Sequence, residues 1–253
     1  SLFLFAFFVC TNKKRLLPRA SWAPTVGVSL FCIFLHQIAL TTGLKETSGT
    51  HAILILGLGP LFTMLFAAVF LKEKIFLPQG LGLLSGFLGI LLVVSGKSQS
   101  GSTVLGDAIT TIAAMTFSIG SLFVKKAVCS SSSLAVTTYS HLLAALGLGI
   151  TAAFFYTPAD FPPGLGPLPV FVLLFSSFMS TAVGALLWNQ SIHKAGATTA
   201  SLFQNGSPII GILASAVFLG EELLWQYFIS LVLVLGGVIL GTGIWKMPLR
   251  AEK

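Results

Sequence analysis

Long apolar runs alternate along this chain with short connectors that hold nearly all of the charge. A helix that crosses a bilayer needs about 20 mostly apolar residues. Eight runs reach that length, at residues 22–43, 50–71, 78–96, 104–124, 134–156, 170–191, 198–219 and 223–245, and residues 1–10 supply part of a ninth. None of the eight contains Lys, Arg or Glu, and Asp107, near the start of its run, is their one acid. The runs are continuous, whereas barrel strands alternate over about ten residues, so the pattern predicts spanning helices.

The connectors then give an orientation. Lys13, Lys14, Arg15, Arg19, Lys72, Lys74, Lys125, Lys126, Lys194, Lys246, Arg250 and Lys253 fall on one side of the predicted membrane, and only Lys45 and Lys97 on the other. The positive-inside rule makes the first side cytoplasmic and places the C-terminus there, in a cell membrane. Trp22, Trp225 and Trp245 sit at span ends, where an interfacial aromatic belt is expected.

The chain also repeats itself. At an offset of 148, Thr50 pairs with Thr198, Ala52 with Ala200, Leu54 with Leu202, Pro60 with Pro208 and Leu65 with Leu213. Ala68-Val69-Phe70-Leu71 pairs with Ala216-Val217-Phe218-Leu219, and Glu73 with Glu221. This reads as a duplication, with one repeat over 1–96 and the second over 104–245. Five crossings separate Pro60 from Pro208. An odd number gives the halves opposite topology, the inverted repeat of secondary transporters, whose substrate site lies near midplane. The offset predicts a ten-helix fold in which the first helix and part of the second precede Ser1.

Composition changes the picture mainly by exclusion. Only 8% of the 253 residues are charged and 55% are hydrophobic, against about a quarter charged in soluble domains. The net charge of +7 sits in loops rather than on a basic face, so a nucleic-acid partner is not expected. Cys10, Cys32 and Cys129 have no metal-like spacing and form no disulfide framework. The apolar start precedes its basic residues, the reverse of a signal peptide.

Gly43-Leu44-Lys45-Glu46-Thr47-Ser48-Gly49-Thr50-His51-Ala52, Pro60-Leu61-Phe62-Thr63 and Leu71-Lys72-Glu73 resemble the drug/metabolite transporter superfamily, EamA type. Ala197-Thr198-Thr199-Ala200, Pro208 and Leu219-Gly220-Glu221 are similar in the second copy, and a Gly-rich helix follows each. The resemblance implies a ten-helix inverted-repeat carrier of metabolites, often amino acids or related compounds, commonly exported. A nucleotide-sugar or sugar-phosphate carrier of the same superfamily is the alternative within transport, and a membrane assembly subunit the alternative outside it. Spans free of Lys and Arg favour neutral, zwitterionic or amphipathic cargo over phosphates.

Polar side chains at membrane depth are costly and therefore candidates for function. Ser29, Cys32, His36, Ala39 and Gly43 recur at helical spacing as one small or polar stripe, bordered by Gln37. Ser201, Gln204, Pro208, Gly211 and Ser215 repeat that spacing, with Asn205 beside them. Such stripes line a polar cavity or make close helix contacts. Trp188 and Asn189 are further substrate candidates, by stacking and hydrogen bonding, with an interfacial anchor the other reading. His141 reads as a packing histidine, and His51 and His193, near span ends, as solvated. Pro60 and Pro208, each mid-span, are expected to kink their helices as gating elements. Gly82–Gly86 and Gly237–Gly241 are small-xxx-small motifs, expected to pack within the molecule, with dimerisation the lesser option. The reading is a carrier that works as a monomer.

No phosphate-binding loop, HExxH, paired carboxylates or Cys/His cluster appears, so neither an enzyme nor a cofactor is expected. Glu73 and Glu221 close their helices at membrane surfaces. Proton coupling, if present, would therefore fall to His36, His141, the substrate or the first helix.

Overall fold

The pattern of Ser48 followed by Gly49-Thr50-His51 and an aliphatic run starts a helix, because the Ser48 hydroxyl accepts the His51 N–H at 3.2 Å. Capping of this kind recurs through an all-α membrane protein. The computed structural model describes Leu4, Phe5, Phe8 and residues 17–71, 76–95, 102–155, 166–195 and 206–242. Its helices, numbered among these described residues, are α1 (Arg19–Gly43), α2 (Gly49–Leu56), α3 (Gly59–Leu71), α4 (Leu77–Ser95), α5 (Val104–Val128) and α6 (Ser133–Phe155). Then come α7, which runs through Pro167–Ser176, Ser177–Val183 and Gly184–Ala195, α8 (Gly206–Leu219) and α9 (Trp225–Thr242).

Among the described residues, five spans are long and apolar enough to cross a membrane: Arg19–Gly43, Gly49–Phe70, Val104–Val128, Ser133–Phe155 and Pro167–Lys194. Three further apolar helices, Leu77–Leu92, Pro208–Leu219 and Trp225–Leu240, are shorter. The predicted run 198–219 is described only from Gly206, so its first part lies outside the described residues. From Pro167 to Ser176 no residue is buried, and the exposed residues include Leu168, Phe171, Leu173 and Phe175, an outer face suited to lipid rather than water.

Among the described residues, two helices depart from α geometry. Val28–Leu35 in α1 and Ser177–Val183 in α7 are π-helical. Wide turns of this type concentrate at functional sites. Moving Val28–Leu35 by the repeat offset of 148 lands on 176–183.

The chain divides into two compact units, Ser1–Phe34 with Phe123–Ala197, and Leu35–Leu122 with Thr198–Lys253. In the first, Phe8, Leu17 and Ala135 form a core against Trp22, Leu134 and Tyr139. Phe31 stacks on Phe123 at 5.7 Å, and Ser21 and Ser130 share a 2.8 Å hydrogen bond.

In the second unit, Leu58, Leu61, Phe62, Ala114, Val234 and Val238 make the core. Its closest seam joins α4 to α9. A Cβ on Gly237 would meet the Gly82 carbonyl at 2.5 Å and the Gly86 nitrogen at 2.8 Å, so glycine is required for that approach. Ser85 Oγ donates to the Leu233 carbonyl at 2.9 Å and Ser230 Oγ to the Gly89 carbonyl at 2.7 Å. These contacts assign the glycine motifs to packing within the molecule. Gly220, at φ 67°, ends α8 in the left-handed conformation that glycine adopts most readily.

Candidate substrate cavity and a buried polar seam

Pro60 interrupts the predicted run 50–71. A proline nitrogen cannot donate to the carbonyl four residues back, here that of Leu56. α2 accordingly stops at Leu56 and α3 begins at Gly59, with Gly57 and Leu58 in a turn. Leu58 N–H turns back to the Ile55 carbonyl at 3.1 Å. Among the described residues no hydrogen bond ends on the Leu56 or Gly57 carbonyl. The Gly59 carbonyl instead accepts from Thr63 at 2.9 Å and from Ser118 on α5 at 3.0 Å. Pro208, buried near the start of α8, packs on the break, since a Cβ on Gly57 would come within 2.9 Å of its ring.

A cavity of about 200 Å³ opens at this break. Leu56, Gly57 and Gly59 form one wall, and His36, Ile53, Ala114 and Phe117 the rest. His36 Nδ1 lies 2.8 Å from the Ala113 carbonyl, so that nitrogen carries the proton. In the neutral ring Nε2 is then an acceptor. The His36 and Phe117 rings meet at 5.2 Å, tilted by 53°. The lining is apolar with a few convergent acceptors, as small-molecule sites are. Pockets for drug-sized ligands usually enclose about 300–1,000 Å³, so this one suits a smaller occupant.

Of the sequence candidates, the structure brings His36, Pro60 and Pro208 to this region. Gln37 is exposed and does not line the cavity. Gln204, Asn205 and Ser201 lie outside the described residues. Trp188 and Asn189 belong to the other unit. There Asn189 is 4% exposed, and its Nδ2 donates to Thr137 Oγ1 at 2.7 Å. Its carbonyl accepts from Ser133 at 3.4 Å. His141 donates to the Thr137 carbonyl at 2.8 Å, a satisfied packing histidine. His193 is exposed.

His51 needs a correction. It was expected to be solvated, yet it is 1% exposed and its Nδ1 lies 3.0 Å from Asp107, itself 3% exposed. Thr47 donates to the same carboxylate. Glu221 differs too. It is half-buried, and its carboxylate accepts the Gly49 N–H at 2.7 Å and the Thr50 N–H at 2.9 Å, capping α2 from a distant part of the chain. A carboxylate at a helix N-terminus is favoured by both the free N–H groups and the helix dipole. Ser48 N–H donates to Ser102 at 3.0 Å, and Thr103 N–H to the Glu46 carbonyl at 2.8 Å, closing the same seam. The usable signal was Asp107, since a lone acid inside a span asks for a partner.

The EamA-like transporter family matches residues 1–95 and 104–242. The chain belongs to that family. This EamA-like transporter is 30% identical over 230 residues to the uncharacterized transporter YyaM of Bacillus subtilis (strain 168), covering 88% of this chain and 74% of that one. It is 23% identical to a probable amino-acid metabolite efflux pump of Escherichia coli (strain K12), over 92% of this chain and 78% of the other. An S-adenosylmethionine uptake transporter of Rickettsia conorii (strain ATCC VR-613 / Malish 7) is 27% identical, over 59% and 54%. A solved crystal structure at 18% identity shares the fold, with a TM-score of 0.65 over 95% of this chain and 82% of its own. The protein is therefore a multi-pass membrane transporter of small molecules.

Proposed function

We propose that this transporter exports small neutral, zwitterionic or amphipathic metabolites, amino acids or their relatives, by alternating access. The cavity at the Pro60 break is the observation that carries the proposal. It joins an apolar wall to acceptor groups, and no Lys or Arg is among its described lining residues, so phosphorylated cargo finds no cation among them. The similarity to an amino-acid metabolite efflux pump supports the same substrate class.

The mechanism needs two inverted repeats, residues 1–96 and 104–245, rocking about a midplane site. The π segments at Val28–Leu35 and Ser177–Val183, set one repeat offset apart, support that duplication. The uneven placement of Lys and Arg supports a cytoplasmic C-terminus. Pro60 and Pro208 act as gating points, with His36 and Phe117 against the cargo.

Counterflow in proteoliposomes, screened over amino acids, amino-acid esters and sugar phosphates, tests the reading. Exchange of an amino acid or a close derivative that falls at least tenfold in His36→Ala, with folding intact, is the expected result. Exchange confined to sugar phosphates overturns it.

A further inference from the structure

The break between α2 and α3 gives the cavity an uneven set of polar groups. Gly57 and Gly59 have no side chains, so they line it with backbone alone. The Gly57 N–H donates to the Ile53 carbonyl at 3.0 Å, and the Gly59 carbonyl already accepts from Thr63 and Ser118. Among the described residues nothing donates to the Leu56 or Gly57 carbonyl. Pro60 has no N–H for the first, and bonding resumes where Phe62 N–H meets the Leu58 carbonyl at 3.0 Å. Both carbonyls stand at the C-terminal end of α2, where the helix dipole is negative.

The side chains add an acceptor and no free donor. Of the described lining residues only His36 carries a side-chain N–H, and its Nδ1 proton goes to the Ala113 carbonyl at 2.8 Å. Nε2 keeps a lone pair. Ile53, Leu56, Ala114 and Phe117 supply the apolar remainder, and an aromatic ring such as Phe117 attracts cations to its face. An ammonium group has three N–H donors and no acceptor, which suits this set. A carboxylate has acceptors only, and would meet carbonyls with no donor between them. A metal ion is served less well, because hard cations such as Ca²⁺ and Mg²⁺ take about six oxygens or more.

We propose that this cavity recognises its cargo by a cationic amine, held at the Leu56 and Gly57 carbonyls and His36 Nε2, and does not read the cargo's carboxylate. The cargo's alkyl part lies against Ile53, Leu56, Ala114 and Phe117. The class narrows from neutral and zwitterionic metabolites to primary amines, amino-acid esters and amides included, with N-acylated compounds excluded. The inference rests on the transport reading for calling this cavity the cargo site, but its test reads binding rather than exchange.

Isothermal titration calorimetry on the purified protein in lipid nanodiscs, with empty nanodiscs subtracted, compares leucine, isoamylamine, isocaproate and N-acetylleucine at neutral pH. Isoamylamine keeps the ammonium and the alkyl chain. Isocaproate keeps the carboxylate and the chain, and N-acetylleucine replaces the ammonium by an uncharged amide. Isoamylamine is expected to bind within about threefold of leucine or tighter, and the other two at least about tenfold more weakly. Pro60→Ala gives the Leu56 carbonyl an N–H partner, and His36→Phe removes Nε2 while keeping a ring. Each is expected to weaken isoamylamine about tenfold and leave isocaproate unchanged. No isoamylamine binding to the unaltered protein, or isocaproate or N-acetylleucine within about threefold of leucine, overturns the proposal without any variant. Undiminished isoamylamine affinity in both folded variants overturns it too. Amine binding with no exchange of any amino acid or derivative in the proteoliposome screen counts against the transport reading and leaves this inference standing. Exchange of leucine and N-acetylleucine alike does the reverse.

Discussion

Replacing Asp107 by Ala removes the acceptor shared by Thr47 and His51, both of which are nearly sealed from solvent. His51 would then have no partner at either ring nitrogen, because Nε2 already lacks one. Breaking a buried pair by deleting one member costs about 3–5 kcal/mol, most of it the penalty on the group left behind. Neutral polar contacts between membrane helices couple by only about 0.6 kcal/mol on average, so the two cases separate clearly. A double-mutant cycle with Asp107→Ala, His51→Ala and the pair, read by denaturant unfolding in mixed micelles, measures the interaction itself. We expect Asp107→Ala to destabilise by about 3 kcal/mol or more, and the double variant to cost much less than the sum of the singles. A coupling at or below about 0.6 kcal/mol would refute this reasoning, because the contact would then be worth no more than an ordinary hydrogen bond between membrane helices.

Glu221→Ala uncaps α2 and should lower stability by about 1–2 kcal/mol, with Glu221→Gln losing less, as read by thermal unfolding. Gly237→Val places atoms where the Gly82 carbonyl and Gly86 nitrogen already stand, so it should abolish folded yield in size-exclusion profiles, while Gly236→Ala, with open space around it, should not. Pro60→Ala supplies an N–H for the Leu56 carbonyl and should lengthen the helix, raising thermal stability while slowing exchange in proteoliposomes.

The spans were legible in the sequence because lipid forces long apolar runs, and the observed helices at Arg19–Gly43, Val104–Val128 and Ser133–Phe155 follow those runs closely. The α4–α9 seam was legible too, since small residues four apart allow backbones to touch. The stripe in α1 rested on a geometric assumption. It assumed 3.6 residues per turn, but Val28–Leu35 is π-helical, which changes the facing of residues on either side of it. The polar seam was hidden differently. His51 sits at the edge of an apolar run, where sequence alone reads solvent, and its burial comes from Asp107, 56 residues on, and Tyr227. Glu221 likewise looks like a surface acid until its 171-residue reach to Thr50 is seen.

That reach has a consequence for biosynthesis. The N-terminal turn of α2 is completed by a side chain translated long after it, because Glu221 lies 172 residues beyond Gly49. At about 5–20 residues per second, α2 waits roughly 10–30 s after synthesis for its cap. During that interval the nascent helix must hold its first N–H groups toward water or headgroups. A ribosome-bound chain that stops before residue 221 should therefore expose the Gly49 and Thr50 N–H groups to exchange, and release of the full chain should silence them.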